Sequence, residues 1–241
     1  MYRYTPPKFK KQQDNNRRDK ALINMQDSIA YFKKEYPDGF NDKKYLYHER
    51  DYKLKFHRKA QSLLNKKDFK NLLQKKEYDE IFNNLKKIFV SVNLIDRYTK
   101  DNFKKALNDF PDEKNNFIET LYKHLYSNET LENRFNMFID FFGKLKNKTD
   151  FKIYSWPMVS YFGFIFLPEE LVFIMKTKIE HAADLCNYEI SYDSSLNWET
   201  YDKSKNFYKD LKLKLEKENL FPKDMIDIQS FIWLLAERNK I

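Results

Sequence analysis

Glycine is almost missing from this chain, with three residues among 241. So little glycine argues against hairpin-rich β folds and doubly wound dinucleotide-binding sheets, because both need glycine in tight turns and phosphate loops. The sequence also lacks the patterns G-x-x-x-x-G-K-[ST], G-x-G-x-x-G, H-E-x-x-H and G-x-S-x-G. We therefore expect no cofactor and none of the standard nucleotide-cradling, zinc-hydrolase or serine-hydrolase sites.

The sequence also has little cysteine and no long apolar run. Cys186 is the single cysteine, so an internal disulfide and a cysteine-based zinc cluster are excluded. Residues 1–20 contain no apolar stretch of the kind found in signal peptides. The most apolar segment, 158–167, has half of the roughly 20 residues that a membrane span requires. These absences predict a cytoplasmic protein without a membrane segment.

Aromatic residues, in contrast, are abundant: 22 Phe, 17 Tyr and 3 Trp provide ample area for a core. Apolar residues recur at helical spacing, most clearly over 129–146, where Asn128 is the expected N-cap. Similar patterns predict helices over 17–36, 43–64, 68–75, 77–92, 177–187 and 197–217, with further helices starting near Thr99, at Pro111 and after Pro222. We predict an all-α (mainly α), compact multi-helix fold, with a short strand or irregular segment near 151–175 as an alternative to buried helices.

The domain organisation follows from where this pattern begins. Residues 1–16 combine lysines with Gln, Asn and Pro6-Pro7 and show no apolar period, which predicts a flexible basic arm. Residues 17–241 are expected to form a single helical domain. An alternative is two subdomains divided near 93–100, where the charge density falls.

The positive charge is confined to the first half of the chain. Residues 1–100 hold 25 Lys+Arg against 13 Asp+Glu, whereas residues 101–241 hold 20 against 23. This asymmetry favours a nucleic acid or an acidic protein surface as the partner of residues 1–100. Lysine outnumbers arginine 37 to 8, however, and lysine is the weaker sign of bidentate phosphate or guanine recognition.

The densest polar cluster is His48-Glu49-Arg50-Asp51-Tyr52-Lys53, followed by His57. On an α-helix Glu49, Lys53 and His57 align on one face with Arg50 offset by one. Acid–base chemistry there would use candidate catalytic residues from one short segment: Glu49, Arg50, Asp51, Lys53 and His57. The simpler interpretation is a solvated helix face with a Glu49–Lys53 pair.

Two carboxylates begin the last predicted helix. Asp224 and Asp227 stand three residues apart, a spacing that could hold a metal ion. Acidic residues at that position also cap free amides and favour the helix dipole, and this interpretation needs no ligand.

Several segments stand out between residues 37 and 233: PDGF at 37–40, ERDYK at 49–53, NWETY at 197–201 and the closing DMIDIQSFIW at 224–233. Together they resemble a family of uncharacterised bacterial proteins of similar length. The resemblance implies a link to restriction-type and other phage-defence genes, which related C-terminal segments accompany. No activity is established for the family, so the resemblance assigns no catalytic residue, and Lys176-Thr177 replaces the family's Lys-Pro.

These observations predict an intracellular bacterial binding or accessory protein that associates with nucleic acid and is linked to a defence or mobile locus. Two alternatives stay open: an enzyme with a site around residues 49–53, and a module that binds only other proteins.

Overall fold

The computed structural model describes residues 25–89, 93–190, 193 and 195–238. Throughout these ranges the chain is built of α-helices and contains no β-strand, which confirms the all-α prediction. No helix in the same ranges is long and apolar enough to cross a membrane. The predicted basic arm, residues 1–16, lies outside the described residues.

Short connections join the helices as far as α8, and longer ones precede α9, α10 and α11. Residues 25–35 are the described part of α1. The others are α2 (Lys43–Tyr45), α3 (Asp51–Leu64), α4 (Lys66–Gln74), α5 (Tyr78–Phe89), α6 (Arg97–Asp109), α7 (Pro111–Tyr126), α8 (Leu131–Lys146), α9 (Trp156–Phe166), α10 (Lys176–Leu185), α11 (Trp198–Lys217) and α12 (Met225–Arg238). A π-helical turn, Leu46–Arg50, joins α2 to α3 without a break, so 43–64 is one continuous helix, as predicted.

Local sequence explains most of the helix starts. The Asn197 side chain accepts a hydrogen bond from the Thr200 amide at 2.8 Å, and Pro111 occupies the first turn of α7, as predicted. The prediction of Asn128 as an N-cap is wrong: α8 begins at Leu131, and the Thr130 hydroxyl accepts from the Asn133 amide. Asp96 caps α6, slightly before the expected start at Thr99.

The core is centred on α9, in which every residue except Pro157 is buried. A helix that is apolar all round must be covered on every side, and α3, α7 and α8 pack against it. Residues 151–154 and 171–175, on either side of the α9 region, are irregular rather than helical. Side chains satisfy part of this buried backbone, since the Ser160 hydroxyl accepts from the Ile174 amide at 2.9 Å and Tyr208 donates to the Phe173 carbonyl at 2.6 Å.

The last helix crosses several earlier ones. α12 packs against α10 and α11, and it also contacts the π-helical turn between α2 and α3. The two segments that the sequence analysis singled out, one near residue 50 and one near residue 225, therefore meet in the folded chain.

Candidate functional site

The π-helical turn sets which side chains of helix 43–64 point inward. The Asp51 amide donates to the Leu46 carbonyl five residues earlier, so this turn contains more residues than an α-helical turn. Positions five apart consequently share a face here, and Tyr45 and Arg50 are both buried. Lys53, three residues further on, is also buried. We call Tyr45, Arg50 and Lys53 the inner face.

Arg50 is the centre of a buried ion-pair cluster. Its guanidinium donates to both oxygens of Asp224, from Nη1 to Oδ1 at 2.9 Å and from Nη2 to Oδ2 at 2.6 Å. Nη1 also donates to Oδ1 of Asp227 at 2.6 Å. This fork geometry is the strongest hydrogen-bonding arrangement available between arginine and a carboxylate. It ties the π-helical turn to the start of α12.

The remaining carboxylate oxygens of the cluster are also used. The Tyr45 hydroxyl donates to Oδ1 of Asp227 at 2.6 Å, and the Lys223 amide donates to Oδ2 of the same residue at 2.7 Å. Oδ1 of Asp224 accepts from the Ile226 amide at 2.9 Å, which is the capping role expected from the sequence. Burial, together with the charge and hydrogen bond of Asp227, raises the pKa of Tyr45 well above its usual value. The phenol therefore stays protonated and remains a donor.

Burial also opposes the charge of Arg50, but the hydrogen bonds and charges of Asp224 and Asp227 outweigh it. Together they raise the pKa of Arg50 above its ordinary range. Arg50 keeps its charge at any pH that the folded protein tolerates. The hydrogen-bonding groups of the cluster are satisfied, which is the condition under which buried charge is tolerated.

Lys53 lies beside this cluster and is 1% exposed. Its Nζ donates to the Ser230 hydroxyl at 2.7 Å and lies 3.7 Å from a carboxylate oxygen of Glu49. Burial lowers the pKa of Lys53 to about 8, while the charge of Glu49 acts in the opposite direction. The interpretation of this segment as a solvated face is therefore wrong for Arg50 and Lys53, although the expected Glu49–Lys53 pair is present.

A lysine of lowered pKa next to a serine hydroxyl is an arrangement that can activate a nucleophile. Ser230 is 3% exposed, however, and its hydroxyl also donates to the Ile226 carbonyl at 2.9 Å. A substrate could reach this hydroxyl only if α12 moved away from α3. The geometry therefore fits a structural lock better than a reaction centre.

The other candidate catalytic residues do not join the cluster. Asp51 is exposed. His57 donates from Nδ1 to the Ile165 carbonyl at 2.9 Å, and Gln61 donates to the Phe166 carbonyl at 2.8 Å. Both carbonyls are at the end of α9, where a helix leaves its last acceptors without internal partners. His57 thus helps to cap a core helix.

The carboxylates of Asp224 and Asp227, which the sequence suggested as metal ligands, bind an arginine in the fold. Both carboxylates face the Arg50 guanidinium, which occupies the position a cation would take. In the part of the chain that the structure describes, no group of three or more His, Cys, Asp or Glu side chains could hold a metal ion.

A small pocket lies between α10, α11 and α12. It is lined mainly by apolar side chains together with Lys178, Tyr208, Gln229 and Trp233, and has room for about one water molecule. The Lys178 ammonium lies 4.3 Å from the centre of the Trp233 ring. This aromatic neighbour accounts for part of the stabilisation of a nearly buried charge.

The opposite side of helix 43–64 presents a second set of polar and aromatic residues to solvent. We call this set the outer face: Tyr47, His48, Asp51, Tyr52, Lys55 and Arg58. Tyr47 is 75% exposed, and its ring meets the His48 ring edge-on with 5.0 Å between centroids. Tyr52 is 36% exposed, which leaves part of its ring open to solvent.

The outer face belongs to a longer basic stretch. Between residues 43 and 70, eight basic side chains are exposed or half-exposed: Lys43, Lys44, Lys55, Arg58, Lys59, Lys66, Lys67 and Lys70. The acidic residues of the same stretch are Glu49, Asp51 and Asp68. The two buried basic residues, Arg50 and Lys53, do not contribute to this surface.

Three important residues escaped the sequence analysis. Tyr45 lies five residues before Arg50, and residues five apart do not share a face of an α-helix. Ser230 looks in the sequence like any serine within a helix. Tyr47 is one of 17 tyrosines. An aromatic residue three positions after the lysine pair Lys43-Lys44 is the sequence signal that could have identified Tyr47.

No family model, no curated protein and no solved structure matches this chain. The resemblance to a bacterial family stays a prediction.

Proposed function

We propose that this protein binds nucleic acid through the exposed basic surface of residues 43–70 and acts as an accessory protein in the bacterial cytoplasm. The observation that supports the proposal is the excess of exposed or half-exposed basic over acidic side chains within residues 43–70, eight against three, of which Lys44 is paired with Glu35 at 2.8 Å. Phosphate backbones are recognised by such surfaces, because each Lys or Arg that approaches a phosphate releases a condensed counterion. The proposed link to a defence or mobile locus rests on the family resemblance and is tested by the gene neighbourhood.

The outer face favours nucleic acid over an acidic protein partner. It combines Arg58, whose planar guanidinium suits phosphate, with the exposed ring of Tyr47 and the partly open ring of Tyr52, which also has the Lys53 ammonium 5.2 Å from its centre. Bases can stack on such rings, whereas an acidic peptide gains little from them. The buried cluster supports this surface by holding the helix in one orientation.

The test is a fluorescence anisotropy titration of labelled single-stranded and duplex DNA and RNA at about 50 mM and about 200 mM salt. We expect binding that weakens with salt. The variant Lys55→Glu/Arg58→Glu should weaken it about tenfold or more and reduce the slope of log K against log salt by about two.

A matched charge reversal on the acidic half provides the control. Lys209 and Lys214 are exposed on α11, outside the proposed binding surface. Lys209→Glu/Lys214→Glu should therefore change affinity by less than about twofold, because the phosphates pair with other side chains. Absence of binding at low salt would overturn the proposal. Equal weakening by the two variants, or competition by polyaspartate as strong as by unlabelled nucleic acid, would overturn it in favour of a general polyanion or acidic-protein surface.

A further inference from the structure

Tyr47 has the most exposed ring among the large hydrophobic side chains that the structure describes. A tyrosine usually packs its ring against the protein and presents only its hydroxyl to water. Tyr47 touches the edge of His48 instead and leaves its own ring open. Its ring area is therefore available to a stacking partner, which would gain free energy by removing that area from water.

The fold holds this ring outward. Tyr45 and Arg50, on either side of Tyr47 in sequence, both bind Oδ1 of Asp227 at 2.6 Å. The register of the turn between them is therefore set from inside the protein. Tyr47 could turn inward only by breaking the buried ion pairs of Arg50.

The basic residues of the outer face continue from Tyr47 in one direction. Lys55 and Arg58 are 8 and 11 residues further along the helix, about 12 Å and 17 Å at the usual helical rise. A stacked nucleic-acid strand advances about 3.4 Å per nucleotide. A strand with one base on Tyr47 would therefore bring phosphates to Lys55 and Arg58 roughly four to five nucleotides away.

A duplex cannot use the Tyr47 ring, because its base faces are already stacked on one another. In a single strand the faces are free, and aromatic side chains bind them with little regard to sequence. We infer that the outer face takes single-stranded nucleic acid, with a base stacked on Tyr47 and phosphates paired with Lys55 and Arg58. This inference rests on the proposed function and adds the class of its substrate.

The test compares Tyr47→Ala and Tyr47→Phe with Tyr98→Ala as the matched control, since Tyr98 is 68% exposed on the separate helix α6. The probes are an oligo(dT) strand, an abasic strand of the same length and a duplex. Tyr47→Ala should weaken oligo(dT) binding about tenfold and leave the abasic strand and the duplex within about twofold. Tyr47→Phe keeps the ring and should bind oligo(dT) like the unaltered protein, as should Tyr98→Ala.

The outcomes separate this inference from the proposed function. If Tyr47→Ala weakens all three probes equally, or none, or if the duplex binds more tightly than oligo(dT), stacking on Tyr47 is wrong. Binding that still depends on salt and on Lys55 and Arg58 would then leave the proposed function standing. Binding that depended neither on salt nor on Lys55 and Arg58 would overturn both the stacking inference and the proposed function.

Discussion

Helix 43–64 carries the same three residue types on two opposite faces. The inner face has Tyr45, Arg50 and Lys53, and the outer face has Tyr47, Arg58 and Lys55 among its members. Inside, α12 and the residue before it supply an acceptor to every one of the three, namely the carboxylates of Asp224 and Asp227 and the hydroxyl of Ser230. On the outer face the corresponding phenol, guanidinium and ammonium groups face solvent.

The difference shows that residue type does not separate a structural cluster from a binding surface. Two structural features distinguish the cluster from the surface. One is α12, which packs against the inner face only. The other is the extra residue in the turn Leu46–Arg50, which brings Arg50 to the inner face. Each residue type therefore offers a matched pair of variants, in which one member tests the fold and the other tests the surface.

The arginine pair should give the largest contrast. Arg50→Ala leaves Asp224 and Asp227 buried without a counter-charge, and removing one partner of a buried pair costs about 3–5 kcal/mol of the free energy of unfolding. Arg58→Ala removes an exposed side chain and should cost less than about 0.5 kcal/mol. Urea unfolding followed by circular dichroism measures both values.

A triple variant checks the reason for that destabilisation. Arg50→Met combined with Asp224→Asn and Asp227→Asn removes the charges together and keeps side-chain oxygens that can accept from the Tyr45 hydroxyl and the Ile226 amide, so part of the stability should return. Equal destabilisation by Arg50→Ala and Arg58→Ala would show that the buried cluster does not hold α12 against the π-helical turn.

The lysine pair should differ in the pH dependence of stability. The pKa of Lys53 is about 8 in the folded protein and near 10.5 when unfolded, and burial is the main cause. Between these values the unfolded chain keeps a proton that the folded chain has released, so this group makes stability rise with pH. The free-energy cost of burying the charged Lys53 ammonium is complete below pH 8 and fades as the pH approaches 10.5.

The measurement is the difference in unfolding free energy between the unaltered protein and Lys53→Met at about pH 7 and about pH 10, which cancels the other titrating groups. The unaltered protein should gain about 2 kcal/mol relative to Lys53→Met over this range. Lys55→Met, on the outer face, should show almost no such change. A flat difference for Lys53 would mean that its ammonium is not desolvated.

Local features of the fold could be predicted from the sequence because their causes are local. The extent of helix 43–64, the cap at Asn197 and the start at Pro111 each depend on residues a few positions apart. The sequence pattern places the cap of α8 at Asn128 because Glu129 and Thr130 are also compatible with a helix. An error of this size is typical of helix ends.

The inner face could not be predicted, because its cause is distant. The π-helical turn places Tyr45 and Arg50 on one face, and both contact Asp227, which follows them by 182 and 177 residues. An α-helical register instead aligns Glu49 with Lys53 and His57. Both segments of the cluster stand out in the sequence, but their meeting depends on the packing of α12, which no local pattern encodes.

The tyrosine pair should give the smallest contrast in stability and is the one that makes the binding experiments interpretable. Tyr45→Phe removes a buried hydroxyl from Asp227, which keeps Arg50 and the Lys223 amide as donors, so the cost should be about 1 kcal/mol. Tyr47→Phe removes a solvated hydroxyl and should leave the urea midpoint unchanged. A shift for Tyr47→Phe as large as that for Tyr45→Phe would show that the outer face also supports the fold. If the urea midpoint of Tyr47→Ala is also unchanged, any weakening of nucleic-acid binding in Tyr47→Ala beyond Tyr47→Phe reports the missing ring rather than a weakened helix.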